Sequence, residues 1–201
     1  MEITWQPSED NPRALTIYIE QEPWKEVDKR LFSPFLPSLK KAHTLKEAKE
    51  IFSELEKTAA RQEALKLLAV KSYFTNELQR KLSRRHLSQE AIASAIQRCQ
   101  EMGALNDEEL TALWVAQEKR KGRGPHHIAL RLQAKSGKKY PQDLSSQEEQ
   151  RMQIAHLLNT RYKKWQNSLQ DRQRVFMALK RRGFDTECIL HCFKTSALDN
   201  F

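Results

Sequence analysis

Glycine is scarce in this 201-residue chain, with five residues in all. None falls in a GxxxxGKS/T or GxGxxG spacing, the arrangements that let backbone amides cradle phosphates, so nucleotide loops of those kinds are excluded. Cysteine is scarcer still. Three residues form an odd set without a framework, which fits a reducing compartment, and the cytoplasm is the expected location. Long apolar runs are also missing: none approaches the roughly 18 residues of a membrane-spanning helix. The opening MEITWQPSED has no signal-peptide pattern. There is no HExxH helix and no GxSxG elbow. Acidic residues are scattered over helix faces instead of converging, so no catalytic residue, cofactor or metal is expected, and the chain reads as a non-enzyme.

What is present is charge. Charged residues make up 30% and hydrophobic ones 39%, a globular balance, and the formal net charge is +9. Such a surface favours a polyanion or an acidic protein as partner.

The basic residues sit in a repeat. Shifted by 97 positions, Leu82-Ser83-Arg84-Arg85-His86-Leu87 lies over Leu179-Lys180-Arg181-Arg182-Gly183-Phe184. Ser88 then meets Asp185, Ile92 meets Ile189 and Ile96 meets Phe193. Each copy reads as an amphipathic helix, a tight basic turn and a second helix, with Ser88 and Asp185 placed as N-caps. Leu78, Leu82, Ile92 and Ile96 are the expected core of the first copy; Leu179, Ile189 and Phe193 are that of the second. A shorter match places Ile128 and Leu132 50 positions after Leu78 and Leu82. A unit of this size cannot bury its stripe alone, so stacked copies are expected.

The fold class that follows is mainly α: an elongated tandem array of three-helix, helix-turn-helix-like repeats behind a small β-rich extension. Residues 1–44 are the strand-rich extension, with β-prone runs at 3–5, 15–19 and 24–27. Residues 45–105 hold a linker helix, broken near Lys57-Thr58, and the first repeat; Leu65, Leu68 and Ala69 are the helix's expected buried face. Residues 106–145 are the second repeat, without a clear third helix, and 138–144 read as an exposed loop. Residues 146–201 are the third, opening with a long polar helix to about residue 165 and closing on a frayed tail, SALDNF.

Between Lys119 and Lys139 the chain carries Lys119, Arg120, Lys121, Arg123, Arg131, Lys135, Lys138 and Lys139 and no acid. Arg84 and Arg85 of the first unit recur as Arg181 and Arg182 of the last, with Arg80, Lys81 and Lys180 close by. Together with His126 and His127, read as surface donors, these are the candidate binding residues. Neutralising backbone phosphates needs repeated positive charge and no particular base. The plain alternative is that each is a solvated helix end. On the surface reading, Arg123, Arg131 and Lys135 can be removed together without cost to folding. Cys188, His191 and Cys192, at i, i+3 and i+4, have a metal-ligand spacing. The repeat instead puts both cysteines over Ala91 and Ala95, as small packing residues.

Several of these stretches, in this order, resemble the RecX family, regulators of the RecA recombinase. ALKLLAVKSYFTNELQRKL at 64–82 is similar to the family's A-L-x-x-L-x-x-K/R-x-x-S/T-x-x-E-L-x-x-K-L. GALND at 103–107 resembles its turn before the second unit, GRGPHHIALRLQAK at 122–135 its G-x-G-P-x-x-I-x-x-E-L-x-x-K, and LKRRGFDTECI at 179–189 its closing repeat. Arg131 stands where the family commonly has Glu. The resemblance implies a non-enzymatic, monomeric protein lying in the groove of the RecA–DNA filament. There it limits filament growth, ATP hydrolysis and strand exchange, in the setting of homologous recombination, DNA repair and the SOS response. Single- and double-stranded DNA are then non-specific partners, and no membrane is involved. Two other readings stand beside it: a helix-turn-helix transcriptional regulator, and a purely structural helical scaffold.

Overall fold

The structure, a computed structural model, describes residues 1–141 and 144–198, with side chains described to Thr195. The loop expected at 138–144 and the tail expected at 196–201 lie partly outside those residues. The chain forms two compact units, Met1–Asp107 and Glu108–Phe201.

The first unit opens with a three-stranded antiparallel sheet, β1 (Ile3–Pro7), β2 (Ala14–Ile19) and β3 (Glu22–Asp28), in the order β1-β2-β3. Leu15, Ile17 and Val27 are buried. The β2–β3 turn uses Glu20 and Gln21, both at positive φ (48° and 68°), where Asn-Gly is the usual signal. Asp28 ends β3 and caps the short helix α1 (Lys29–Phe32) by accepting from the Leu31 amide. A 3₁₀ turn at Leu36–Lys41 leads to Thr44, which caps α2 (Leu45–Val70) as its spacing predicts.

Helix α2 differs from expectation in two ways. It runs unbroken through Lys57-Thr58, and its buried residues are Ala48, Phe52, Glu56, Ala59, Ala60 and Ala64. Leu65 and Leu68 are only half-buried and Ala69 is exposed. The cause is the neighbour: α2 packs on α4 (Gln89–Glu101), whose buried side is also built of small residues, Ala91 and Ala95. Helix α3 (Thr75–Ser83), which joins them in sequence, packs on both, with Leu78 and Leu82 fully buried. Ser88 caps α4 by accepting from the Ala91 amide, and Ile92 is buried while Ile96 is half-buried.

The second unit contains α5 (Asp107–Arg120, opening on the last residue of the first unit), α6 (Pro125–Ser136), α7 (Gln147–Thr160), α8 (Leu169–Arg181) and α9 (Thr186–Leu198). Pro125 takes the first position of α6, and Gly137 closes it in the left-handed region. Among the described residues no helix intervenes between α6 and α7, so the second repeat has two helices. Helix α7 stops at Thr160, short of the expected 165, and Trp165 turns back to stack on Phe193 at 4.5 Å. Ile154, Leu158, Leu179, Phe184, Ile189 and Phe193 fill the core.

The repeat is literal. Both bounds of α9 lie 97 positions beyond those of α4. The turn residues His86 and Gly183 share a positive φ (55° and 87°). Ile128 and Leu132, the shorter match, are fully buried.

Candidate nucleic-acid interface

At each repeated turn the two arginines part company. Arg84 and Arg181 are exposed, as are Arg80, Lys81 and Lys180. Arg85 instead bridges Asp28 and Glu63, at 3.1 Å each. Arg182 donates from Nε to the Tyr162 hydroxyl at 3.2 Å and from Nη1 to the Gly122 carbonyl at 2.9 Å. The first arginine of each turn faces solvent and the second ties elements together.

The stretch 119–139 divides as well. Glu118, only 1% exposed, accepts from Lys121 Nζ at 2.7 Å and from Arg131 Nη1 at 2.9 Å. Burial alone would raise its carboxyl pKa; Lys121, Arg131 and Arg123 outweigh that and hold it below the ordinary value. Arg131 also lies over the Trp114 ring at 5.7 Å. The expectation that Arg131 can be removed without cost is therefore corrected: it neutralises a buried charge. Lys119 pairs with Glu149 at 3.0 Å, Lys135 is half-buried, and Lys138 and Lys139 are exposed.

GRGP at 122–125 is a joint between α6 and the α8–α9 turn. The Gly124 amide donates to the Arg182 carbonyl at 2.8 Å, and the His126 amide to that of Gly183 at 3.1 Å. A Cβ at Gly124 would stand 2.4 Å from the Gly183 backbone, so the close approach needs glycine. His126 and His127 are not free surface donors. The His126 ring meets the Asp185 carboxylate, which also accepts from Gln150 Nε2 at 2.6 Å. His127 is half-buried, and burial first, then Arg123, push its ring below the ordinary pKa. Cys188 and Cys192 are buried against α7, and burial raises both thiols, as suits packing residues. Among the described residues no three His, Cys, Asp or Glu side chains gather as a metal site.

Several of the exposed cations collect in two grooves of this unit. One, of about 650 Å³, is lined by Lys119, Arg120, Lys121, Gly122, Met152, Gln153, His156, Leu157, Thr160 and Arg161. The other, of about 510 Å³, runs from Thr160 through Trp165 to Asp171, Arg174, Val175, Ala178 and Arg181. Thr160 and Arg161 line both, so the two grooves adjoin. Arg120, Arg161, Lys163, Lys164, Arg174 and Arg181 are exposed there and make no ion pair among the described residues. The lining carboxylate, Asp171, accepts from Ser168 at the start of α8. Helices α5, α7 and α8 all end here, so part of this charge answers their carbonyl ends. Lys163, Lys164 and Arg174 lie outside those last turns. Arg161, Lys163, Lys164 and Arg174 are absent from the sequence-based candidates, although RYKKW at 161–165 interleaves bases with aromatics.

These features define a class: a tandem helical-repeat protein with a small N-terminal sheet and a basic groove on its second unit. Residues 60–99, the end of α2 with α3 and α4, match the family model of RecX, first three-helix domain. In that stretch the sequence is similar to RecX, and the fold of the chain is similar to two solved RecX structures. The crystal structure of regulatory protein RecX has a TM-score of 0.63 at 17% identity, covering 96% of this chain and 97% of that one. RecX from Lactobacillus salivarius has a TM-score of 0.62 at 16% identity, covering 71% and 97%. No curated protein matches the sequence.

Proposed function

We propose that this protein is a cytoplasmic, monomeric regulator that binds a RecA-type recombinase–DNA filament and limits its ATP hydrolysis, extension and strand exchange, with no catalysis of its own. The observation that carries this reading is the RecX first domain at residues 60–99, within a chain whose fold follows RecX throughout. The basic groove supplies a way to hold the filament's nucleic acid: six exposed cations along one track suit a phosphate backbone and select no base. Arg84, at the equivalent turn of the first unit, adds a second point of attachment, and linked attachments raise effective concentration. Among the described residues no helix is long and apolar enough to cross a membrane. The transcriptional-regulator alternative gains no support from α4, where Gln97 and Arg98 are both turned to Glu101.

The test is a salt titration of wild type and the variant Arg161→Ala/Lys164→Ala/Arg174→Ala on two unrelated DNAs. The variant should bind both more weakly by a similar factor. Its log–log salt slope on duplex DNA should become shallower by about 0.9 for each phosphate that is no longer neutralised. Weaker binding to one sequence alone would point to base reading, and unchanged binding would show the groove idle.

A further inference from the structure

Leu169, Met177 and Leu190 are 79%, 54% and 45% exposed, yet all three face one groove between α8 and α9, of about 450 Å³. Arg172, Gln173, Phe176 and Phe193 complete its lining. Single exposed apolar side chains need no explanation, but a cluster around one concavity does.

The repeat shows that the third unit does not need these residues to fold. At the 97-position offset the buried positions stay apolar: Leu78 becomes Val175, Leu82 becomes Leu179 and Ile92 becomes Ile189. At the groove the residue class changes instead. Ser72 becomes Leu169, Gln79 becomes Phe176, Arg80 becomes Met177 and Ala93 becomes Leu190. The first repeat builds α3 and α4 with polar or small residues at the three helical places, and its Ser72 lies ahead of α3, which starts at Thr75 where α8 already starts at Leu169.

We infer that the α8–α9 groove grips a protein protomer of the filament through a short apolar segment that carries a carboxylate. The inference rests on the filament reading above and assigns its two faces. On α8, Arg174, Ala178 and Arg181 line the basic groove, while Arg172, Gln173, Phe176 and Met177 line this one. One face of the helix meets phosphate and the other meets protein. The carboxylate follows from Arg172, the charged residue of the lining. Its guanidinium lies 5.9 Å from the Trp165 ring and 5.4 Å from that of Phe193, with no acidic partner among the described residues. A second copy of this chain fits poorly. A two-fold contact would bring two Arg172 rims together on chains of net charge +9.

The test uses Leu169→Ser/Met177→Gln/Leu190→Ala, with Met177→Gln alone as the milder variant. Both should melt with wild type and bind naked DNA as wild type does. Retention on recombinase filaments assembled on DNA should fall about tenfold for the triple variant and less for the single one. Equal retention of variant and wild type overturns the inference alone. Wild type held no better by filaments than by naked DNA overturns the filament reading and this occupant with it. A concentration-dependent dimer of wild type, abolished by the variant, assigns the groove to a second copy and also overturns the inference.

Discussion

Ser88 and Glu56 are bound to each other twice: the Ser88 amide donates to Glu56 Oε1 at 2.9 Å, and its hydroxyl to Oε2 at 2.6 Å. The third repeat holds the same junction with the chemistry exchanged. There the Asp185 amide donates to Gln150 Oε1 at 3.1 Å, and Gln150 Nε2 returns a bond to the Asp185 carboxylate. In both repeats a nearly buried polar side chain of the opening helix fixes the residue before the closing helix.

Glu56→Ala leaves the buried side of Ser88 without its acceptors and should cost about 2–3 kcal/mol, read by urea unfolding. A cost within error of zero would show that the clamp follows the packing instead of holding it.

Glu118 makes stability depend on pH. Its folded pKa lies below the unfolded value, so its contribution is full above the ordinary range near 4.5 and is lost as pH falls through the folded value. The stability gap between wild type and Glu118→Gln should therefore narrow as the pH falls below about 4.5. At neutral pH Arg131→Ala should cost about 1–2 kcal/mol, less than a fully buried pair, because Arg131 is half exposed and Lys121 remains. A pH-independent gap would contradict this.

Two glycines separate crowding from backbone strain. Gly103 has φ +69° and open space around it, so Gly103→Ala should cost about 1 kcal/mol. Gly124→Ala drives a methyl into the Gly183 backbone and should cost about 3 kcal/mol. Equal unfolding midpoints for the two variants would contradict the close joint at 122–125.

The repeat was legible because its signal is periodic and large: Leu78, Leu82, Ile92, Leu179, Ile189 and Phe193 are all core residues. The buried face of α2 was not, since Ala59, Ala60, Ala64 and an acid, Glu56, carry it while Leu65 and Leu68 are the stronger apolar residues by type. Nor could spacing say which arginine of each turn is structural. The carbonyl acceptors of Arg182 lie 61 and 60 positions away, at Lys121 and Gly122, and only the folded chain brings them together. For the same reason 119–139 read as one basic surface, whereas Lys121 and Arg131 converge on Glu118. The groove cations come from α5, α8 and the turn after α7, and only their local run at 161–164 is visible in the sequence.

The central claim is regulation of a recombinase filament. It is tested most directly by ATP hydrolysis of a RecA-type recombinase on single-stranded DNA with this protein added below stoichiometry. The account predicts that hydrolysis falls, and that the Arg161→Ala/Lys164→Ala/Arg174→Ala variant lowers it less. Hydrolysis unchanged even at an excess of this protein would contradict it.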